Sequence, residues 1–309
     1  MGFNKIAVLM GGASNEREVS LVSGKAISTG LRKKGYDVTE LVLDGDFLPK
    51  LPAEIEAVFI AMHGGYGEGG GLQADLDSVR MPYTGSGALA SKLAMDKNET
   101  KAILLANNVP TPRYAILRAG QNELHELVLP VVVKPPRDGS SVGVTRVDNM
   151  AQWQAAVAAA RKCDPLGEVL VEEYIAGREW TVGILDEMAL PAVEIRAPGG
   201  WYGYDAKYKS SEALAPAQRT EYIFPESSED QLITKACQKH ALATYNLLKC
   251  RGMGRVDFRI GLDGTPYVLE INTIPGFTPT SLLPKAAARA GIDFPQLCAH
   301  IMERAKFGD

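Results

Sequence analysis

The chain has 309 residues, 46% of them hydrophobic and 23% charged, with a formal net charge of −4 at pH 7. That length accommodates two or three domains with sizeable cores, and mild acidity without a basic block argues against nucleic acid or an anionic membrane as a partner. The four cysteines, Cys163, Cys237, Cys250 and Cys298, are scattered with no CxxC pair, and no apolar stretch approaches a membrane span, so reduced thiols in a cytoplasmic protein are expected.

In chain order, "KIAVLM" (5–10) is a buried-strand run. Asn15 followed by Glu18 signals a helix start, "KKG" (33–35) its end, and Val19, Val22 and Ala26 are assigned its inward face. "DVTELVL", "AVFIAMH" and a helix near 72–79 complete an α/β layer with a parallel sheet. Ligands of such sheets bind beyond the carboxyl ends of the strands. The loops "MGGASNERE" and "MHGGYGEGGG" are therefore placed at that edge, with His63 either a ligand contact or a buried histidine bonded to a loop.

From Met95, "MDKNETKAILLANNVPTP" reads as a helix stopped by prolines. "YAILR", "LPVVVKPP", "VGVTRV" and "EVLVEEYI" follow as antiparallel strands crossed by an Ala-rich helix near 150–161. A third region opens near Trp180 with "WTVGIL" and "LPAVEIR", then a polar, aromatic loop (199–222) long enough for a lid. A helix near 228–247, a β-hairpin, and helices near 281–290 and 294–306 close the chain. The expected divisions are 1–95, 96–180 and 181–309.

Two stretches carry chemistry. "KPPRDGSSVGV" (134–144) sets a lysine before a loop of small and hydroxyl residues, which exposes backbone N–H groups to an anion. No GxxxxGK[ST] occurs anywhere, and "GGASNE" lacks the GxGxxG fingerprint. The hairpin "RVDFRIGLDGTPYVLEIN" (255–272) has Asp263-Gly264 at its tip, the dipeptide of a two-residue type I′ turn. That turn sets Asp257 opposite Glu270 and Arg255 opposite Asn272. It also gives one core face of Val256, Phe258, Ile260, Tyr267, Leu269 and Ile271, with Arg259 and Val268 on the other. Like charges directly opposed destabilise a sheet. Either Arg255 and Arg259 neutralise the pair, or a divalent cation does, and carboxylate and amide oxygens suit magnesium. "NTIPGFTPTSLLPKAA" then presents N–H groups at Gly276 and at a helix start near Ser281, a setting for an anion. Alone, Lys97 reads as a surface lysine, and Glu172, Glu173 and Glu179 as solvated strand ends and a turn.

Together, "KPPRDGSSVGV", "VLVEEY" and "GRVDF…YVLEINTIPGFT" resemble the ATP-grasp fold. The whole chain resembles the bacterial D-alanine–D-alanine ligase family, from "GGASNEREVSLVSG" through "HGGYGEGGGLQ", "YTGSG", "MDK" and "YDAKY" to the C-terminal helix. It departs from that pattern at Gly69, where an Asp is usual, and at Pro136, where a small residue is. The resemblance implies an α/β N-terminal domain with a parallel sheet, followed by two α+β domains forming an ATP-grasp fold around ATP. It implies Asp257, Glu270 and Asn272 as ligands of two Mg2+ ions, with Mn2+ able to substitute. Lys97 and Lys134 would contact phosphates, Glu172, Glu173, Tyr174 and Ile175 adenine, and Glu179 ribose. Lys207 and Tyr208, on the long loop, would close over the site, with Lys207 among the ATP contacts.

The implied reaction joins two D-alanine molecules through an acyl phosphate, for peptidoglycan precursors. Glu16 would bind the first ammonium and bond to Ser140 and Tyr208. Arg255 and Gly276 would hold the oxyanion, Ser281 the second carboxylate, and His63 would touch substrate. A homodimer is implied as well. The rivals are a ligase using D-lactate, disfavoured by Tyr208, a nucleotide binder without catalysis, and more distantly a hydride-transferring enzyme.

Overall fold

The structure, a computed structural model, describes residues 2–123, 127–200, 203 and 219–308. Lys207 and Tyr208, and with them most of the expected lid, lie outside the described residues.

The chain opens with β1 (Lys5–Gly11), whose Ile6–Met10 run is wholly buried, as befits a central parallel strand covered on both faces. Helix α1 (Arg17–Lys33) leads to β2 (Asp37–Leu43) and β3 (Ala57–Ile60), and the sheet is parallel in the order β2-β1-β3. Two expectations about α1 are corrected. Asn15 does not cap it: the helix starts at Arg17, and Ser14 Oγ accepts the Glu16 N–H at 3.2 Å. Nor does Val22 face inward, being 58% exposed; the buried face is Ser20, Ser23, Gly24, Ile27, Ser28 and Leu31. A Cβ on Gly24 would stand 2.7 Å from Met10 Cβ, so the helix lies too close to the sheet for larger residues there. Small side chains form the contact, and a search for apolar periodicity overlooks them.

Short helices α2 (Gly65–Glu68), α3 (Gly71–Ser78) and α4 (Ala88–Met95) lead to α5 (Lys97–Ala106). Asp96 caps α5, accepting the N–H groups of Asn98 and Glu99, so Lys97 occupies the first helical position. Next come β4 (Tyr114–Leu117), β5 (Val131–Lys134), β6 (Thr145–Val147), α6 (Trp153–Cys163) and β7 (Val169–Glu173). The four strands form an antiparallel sheet ordered β4-β7-β5-β6, and Trp153 of α6 is buried against its valines.

The last sheet holds β8 (Gly177–Leu185), β9 (Met188–Ala189), β10 (Val193–Arg196) and β11 (Glu221–Ile223). Helix α7 (Ser228–Leu247) then precedes the hairpin of β12 (Met253–Gly261) and β13 (Pro266–Asn272). The path is β11-β10-β8-β12-β13, with β9 beside β8. Helices α8 (Leu282–Arg289) and α9 (Phe294–Glu303) pack back on the first layer, where Leu283, Ala287, Leu297 and Ile301 join the core of the parallel sheet.

The hairpin departs from a two-residue turn. Gly261 N donates to Thr265 O at 2.9 Å, leaving Leu262, Asp263 and Gly264 as the loop, with Gly264 at φ 82°. Near the tip, Phe258 therefore faces Val268 and Arg259 faces Tyr267. A β-bulge at Leu269 restores the expected pairing of Asp257 with Glu270 and Arg255 with Asn272. The core face is corrected accordingly: Val268 is fully buried, while Leu269 turns to the cleft beside Glu270.

Candidate active site

A cleft opens between the two antiparallel sheets. Its lining gathers residues that lie far apart in sequence: Lys97, Lys134, the Glu172–Ile175 stretch, Glu179, Asp257 and Glu270. The 134–144 loop joins them through Asp138, Gly139, Ser141 and Val144. Apart from that loop, strands and one helix start supply most of these groups, so rigid elements fix their positions.

Each opposed carboxylate has a cation. Arg255 holds both oxygens of Asp257, Nε to Oδ1 at 2.8 Å and Nη2 to Oδ2 at 2.7 Å, and Thr181 Oγ1 donates to Oδ1 at 2.6 Å. Lys97 Nζ lies 3.1 Å from Glu270 Oε2 and donates to Asp138 O at 2.8 Å. Arg259 does not serve this pair. It donates to Ile175 O at 3.1 Å and Gly177 O at 2.8 Å, approaches Glu179 at 3.3 Å and lies over the Tyr174 ring. Asn272 Oδ1 accepts the Ile274 N–H at 3.0 Å.

Glu172 is 2% exposed, and two lysines grip it: Lys101 Nζ at 2.6 Å from Oε1, Lys134 Nζ at 2.7 Å from Oε2. Burial alone would raise its carboxyl, but the fields of Lys101 and Lys134 outweigh burial and hold it below the ordinary value. The structure thus converts an apparent solvated strand end into a buried ion triad. Lys101 went unnoticed in the sequence, although it stands one turn beyond Lys97 on α5.

Beside Gly139, which lines the cleft, three segments meet. Ser140, at φ 55°, donates its hydroxyl hydrogen bond to Glu16 Oε1. Ser14 Oγ donates to His63 O at 2.8 Å, tying the first two loops together. The His63 ring is buried, with Nδ1 2.8 Å from Ile274 O and Nε2 3.2 Å from Ser23 Oγ, and burial pushes its pKa below the ordinary value. Beside it, Glu68 accepts the N–H groups of Gly64 and Ile274 at 3.2 and 3.3 Å. Burial first, then the Glu16 charge, push the Glu68 carboxyl up to about 7. Ser281 stands at the N-cap position of α8, where its Oγ accepts the Thr278 N–H at 3.0 Å. Gly276 lies in the same turn, 3.6 Å from Ser281 Oγ when measured from an added Cβ.

The D-ala D-ala ligase C-terminus family model matches residues 104–303. A D-alanine–D-alanine ligase of Syntrophotalea carbinolica is 45% identical over 303 residues, spanning 97% of this chain and 96% of that protein. One from Herminiimonas arsenicoxydans is 41% identical, covering 98% of this chain and 92% of its own length. Among solved structures, a Bacillus anthracis D-alanine–D-alanine ligase complexed with ATP superposes with a TM-score of 0.82 at 32% identity, over 97% of this chain and 96% of that one.

The chain belongs to the D-alanine–D-alanine ligase family. Its two antiparallel sheets are therefore the ATP-grasp pair, which follows the parallel N-terminal layer as expected. The two departures from the family pattern have local accounts. At Gly69 an added Cβ would lie 2.6 Å from Gly65 O, so the turn is drawn tight around a bare α-carbon. At position 136 only the backbone is used, since Pro136 O accepts the Lys97 N–H at 3.0 Å.

Arg137, also unnoticed in the sequence, ties the 134–144 loop to the rest of the fold. It bonds Asp96 at 2.7 Å, Asp164 at 3.1 Å and Glu168 at 2.7 Å, fixing the loop to the cap of α5. Nothing in its spacing marked it, because its partners converge only in three dimensions.

Proposed function

We propose that this chain uses ATP to join two D-alanine molecules into the dipeptide of peptidoglycan precursors, and that the cleft between the antiparallel sheets is where it does so. The convergence of Lys97, Lys134, Glu172–Ile175, Glu179, Asp257 and Glu270 on one cleft carries the reading. In it, Glu172, Glu173, Tyr174 and Ile175 take adenine and Glu179 takes ribose. Lys97 and Lys134 meet phosphate oxygens, and Lys207 joins them.

The donor set suits a divalent ion. Asp257 and Glu270 face one another from adjacent strands, and Asn272 adds an amide two residue pairs along, on the same face. These are hard oxygens beside a phosphate site, fit for two Mg2+ or Mn2+ ions. When bound, such ions neutralise the charge of the transferring phosphoryl group.

The residues then do the following. Glu16 holds the ammonium of the first D-alanine, and its bond with Ser140 fixes the Glu16 carboxylate in place; Tyr208, outside the described residues, is proposed as its second partner. A carboxylate oxygen of the substrate attacks the γ-phosphorus, the bond to ADP breaks, and an acyl phosphate results. Ser281, at a helix start, takes the carboxylate of the second D-alanine, with His63 nearby. Its amine attacks the carbonyl carbon and loses a proton, the carbon–oxygen bond to phosphate breaks, and the peptide bond forms. Arg255 and the Gly276 N–H steady the oxyanion, one such donor being worth about 3 kcal/mol. Water must be kept from the acyl phosphate, a role proposed for the 199–222 loop, most of which lies outside the described residues. Since ATP and the free amino acid are cytoplasmic, the enzyme works there, as a homodimer.

Phosphate release from ATP measured with D-alanine, with L-alanine, with D-lactate plus D-alanine, and with none tests the reading. Release only with D-alanine, giving the dipeptide, is expected. ATP binding without D-alanine-dependent release would mark a nucleotide-binding protein, and depsipeptide as the main product a D-lactate ligase.

A further inference from the structure

Glu172 has one more cation than its charge requires, and the two lysines are not equivalent. Lys134 Nζ lies 2.7 Å from Oε2 and lines the cleft. Lys101 is fully buried and lines none of it. Its ammonium, 2.6 Å from Glu172 Oε1, also donates to Thr111 Oγ1 at 2.5 Å, whose hydroxyl donates in turn to Val268 O at 2.8 Å. Lys101 is thus moored behind the cleft wall to the sheet that carries Glu270. Burial lowers the Lys101 ammonium to about 8, and the Glu172 carboxylate is the chief force opposing that.

We propose that Lys101 is a positioning residue, the permanent counter-ion of Glu172, and that it lets Lys134 leave this carboxylate for a phosphate oxygen of the nucleotide. The inference rests on the reading of Lys134 as a phosphate contact. A buried carboxylate stripped of every cation is strongly disfavoured. With Lys101 alone in place, Glu172 stays paired after Lys134 has moved. Without Lys101, Lys134 is the only cation among the described residues left to Glu172, and it is held there. Helix α5 divides the work: Lys97 at its first position enters the cleft, and Lys101 one turn later stands behind it.

The test is calorimetric titration of the full chain with ATP and, separately, with adenosine, both with Mg2+. Lys101→Met should weaken ATP by about tenfold or more while adenosine changes less than about twofold, because the loss falls on the phosphates. In a Glu172→Gln background the same substitution should have no further effect, since no buried charge is left to neutralise. Thr111→Val keeps the lysine and loosens its mooring; it should give a smaller loss of the same selectivity, and it serves if Lys101→Met does not fold. Equal losses for ATP and adenosine, no loss for either, or an undiminished Lys101→Met effect with Gln at 172 would overturn the proposal. A Lys134→Met variant that left the ratio of ATP to adenosine affinity unchanged would instead overturn the phosphate role of Lys134.

Discussion

Asp257 stands directly across the β12–β13 ladder from Glu270, and different protein cations hold the two: Arg255 grips both oxygens of the first, and Lys97 lies 3.1 Å from the second. Their mutual repulsion is offset by the protein's own cations. If these carboxylates are the metal ligands, Asp257→Asn and Glu270→Gln should each raise the Mg2+ concentration for half-maximal activity by roughly tenfold or more. Adenosine affinity should hardly change. Metal titrations of initial rates provide the check, and an unchanged Mg2+ requirement in both variants would remove the ligand assignment.

The bulge at Leu269 reverses the order of two stability effects. Strict alternation from the Asp263-Gly264 tip buries Leu269 and exposes Val268, whereas the structure buries Val268 completely. Val268→Ser should therefore cost about 2–3 kcal/mol, and Leu269→Ser about 1 kcal/mol or less. Urea unfolding of both variants measures the difference; the opposite ranking would restore the uninterrupted register.

Glu68 should leave a signature in the pH dependence of stability. Its folded pKa is raised from 4.5 to about 7, so the folded state holds a proton that the unfolded chain releases earlier. The contribution is fully present below pH 4.5 and is lost as the pH rises through 7, a change of about 3 kcal/mol. Unfolding free energies of the protein and of Glu68→Gln, compared from pH 4 to 9, should diverge through that window in favour of the variant at high pH and run parallel outside it. A constant difference would mean that Glu68 is ionised throughout.

Glu16 and Ser140 are joined directly, although 124 positions separate them. Groups that act as one unit lose function non-additively. Glu16→Gln and Ser140→Ala should each raise KM for D-alanine by about tenfold or more, and the double variant should be little worse than the poorer single one. Multiplying effects would show that the two act separately.

Most of the architecture was legible because it is written in local patterns. The β1 run, the strands around 114–173 and the helix at 228–247 each carry their own periodicity or length. Lys97, Glu172, Glu173 and Glu179 taken alone read as solvated groups, and only the family resemblance points to them as a set; the fold places all four on one cleft. The misses share a physical cause. The inward face of α1 is made of serine and glycine, chosen for closeness instead of hydrophobicity. The hairpin slipped because a three-residue tip and a bulge cancel each other beyond Leu269, so the register at Asp257 came out right for an incomplete reason. Lys101, Glu68 and Arg137 are ordinary charged residues in sequence; only the folded chain gives them buried partners.

In the proposed reaction, ATP is spent on the carboxylate of one D-alanine before the peptide bond forms. D-alanine labelled with oxygen-18 in its carboxylate tests this most directly, with the released phosphate analysed by mass spectrometry. The account predicts that each dipeptide formed delivers one carboxylate oxygen to the phosphate. Dipeptide formed alongside wholly unlabelled phosphate would contradict it.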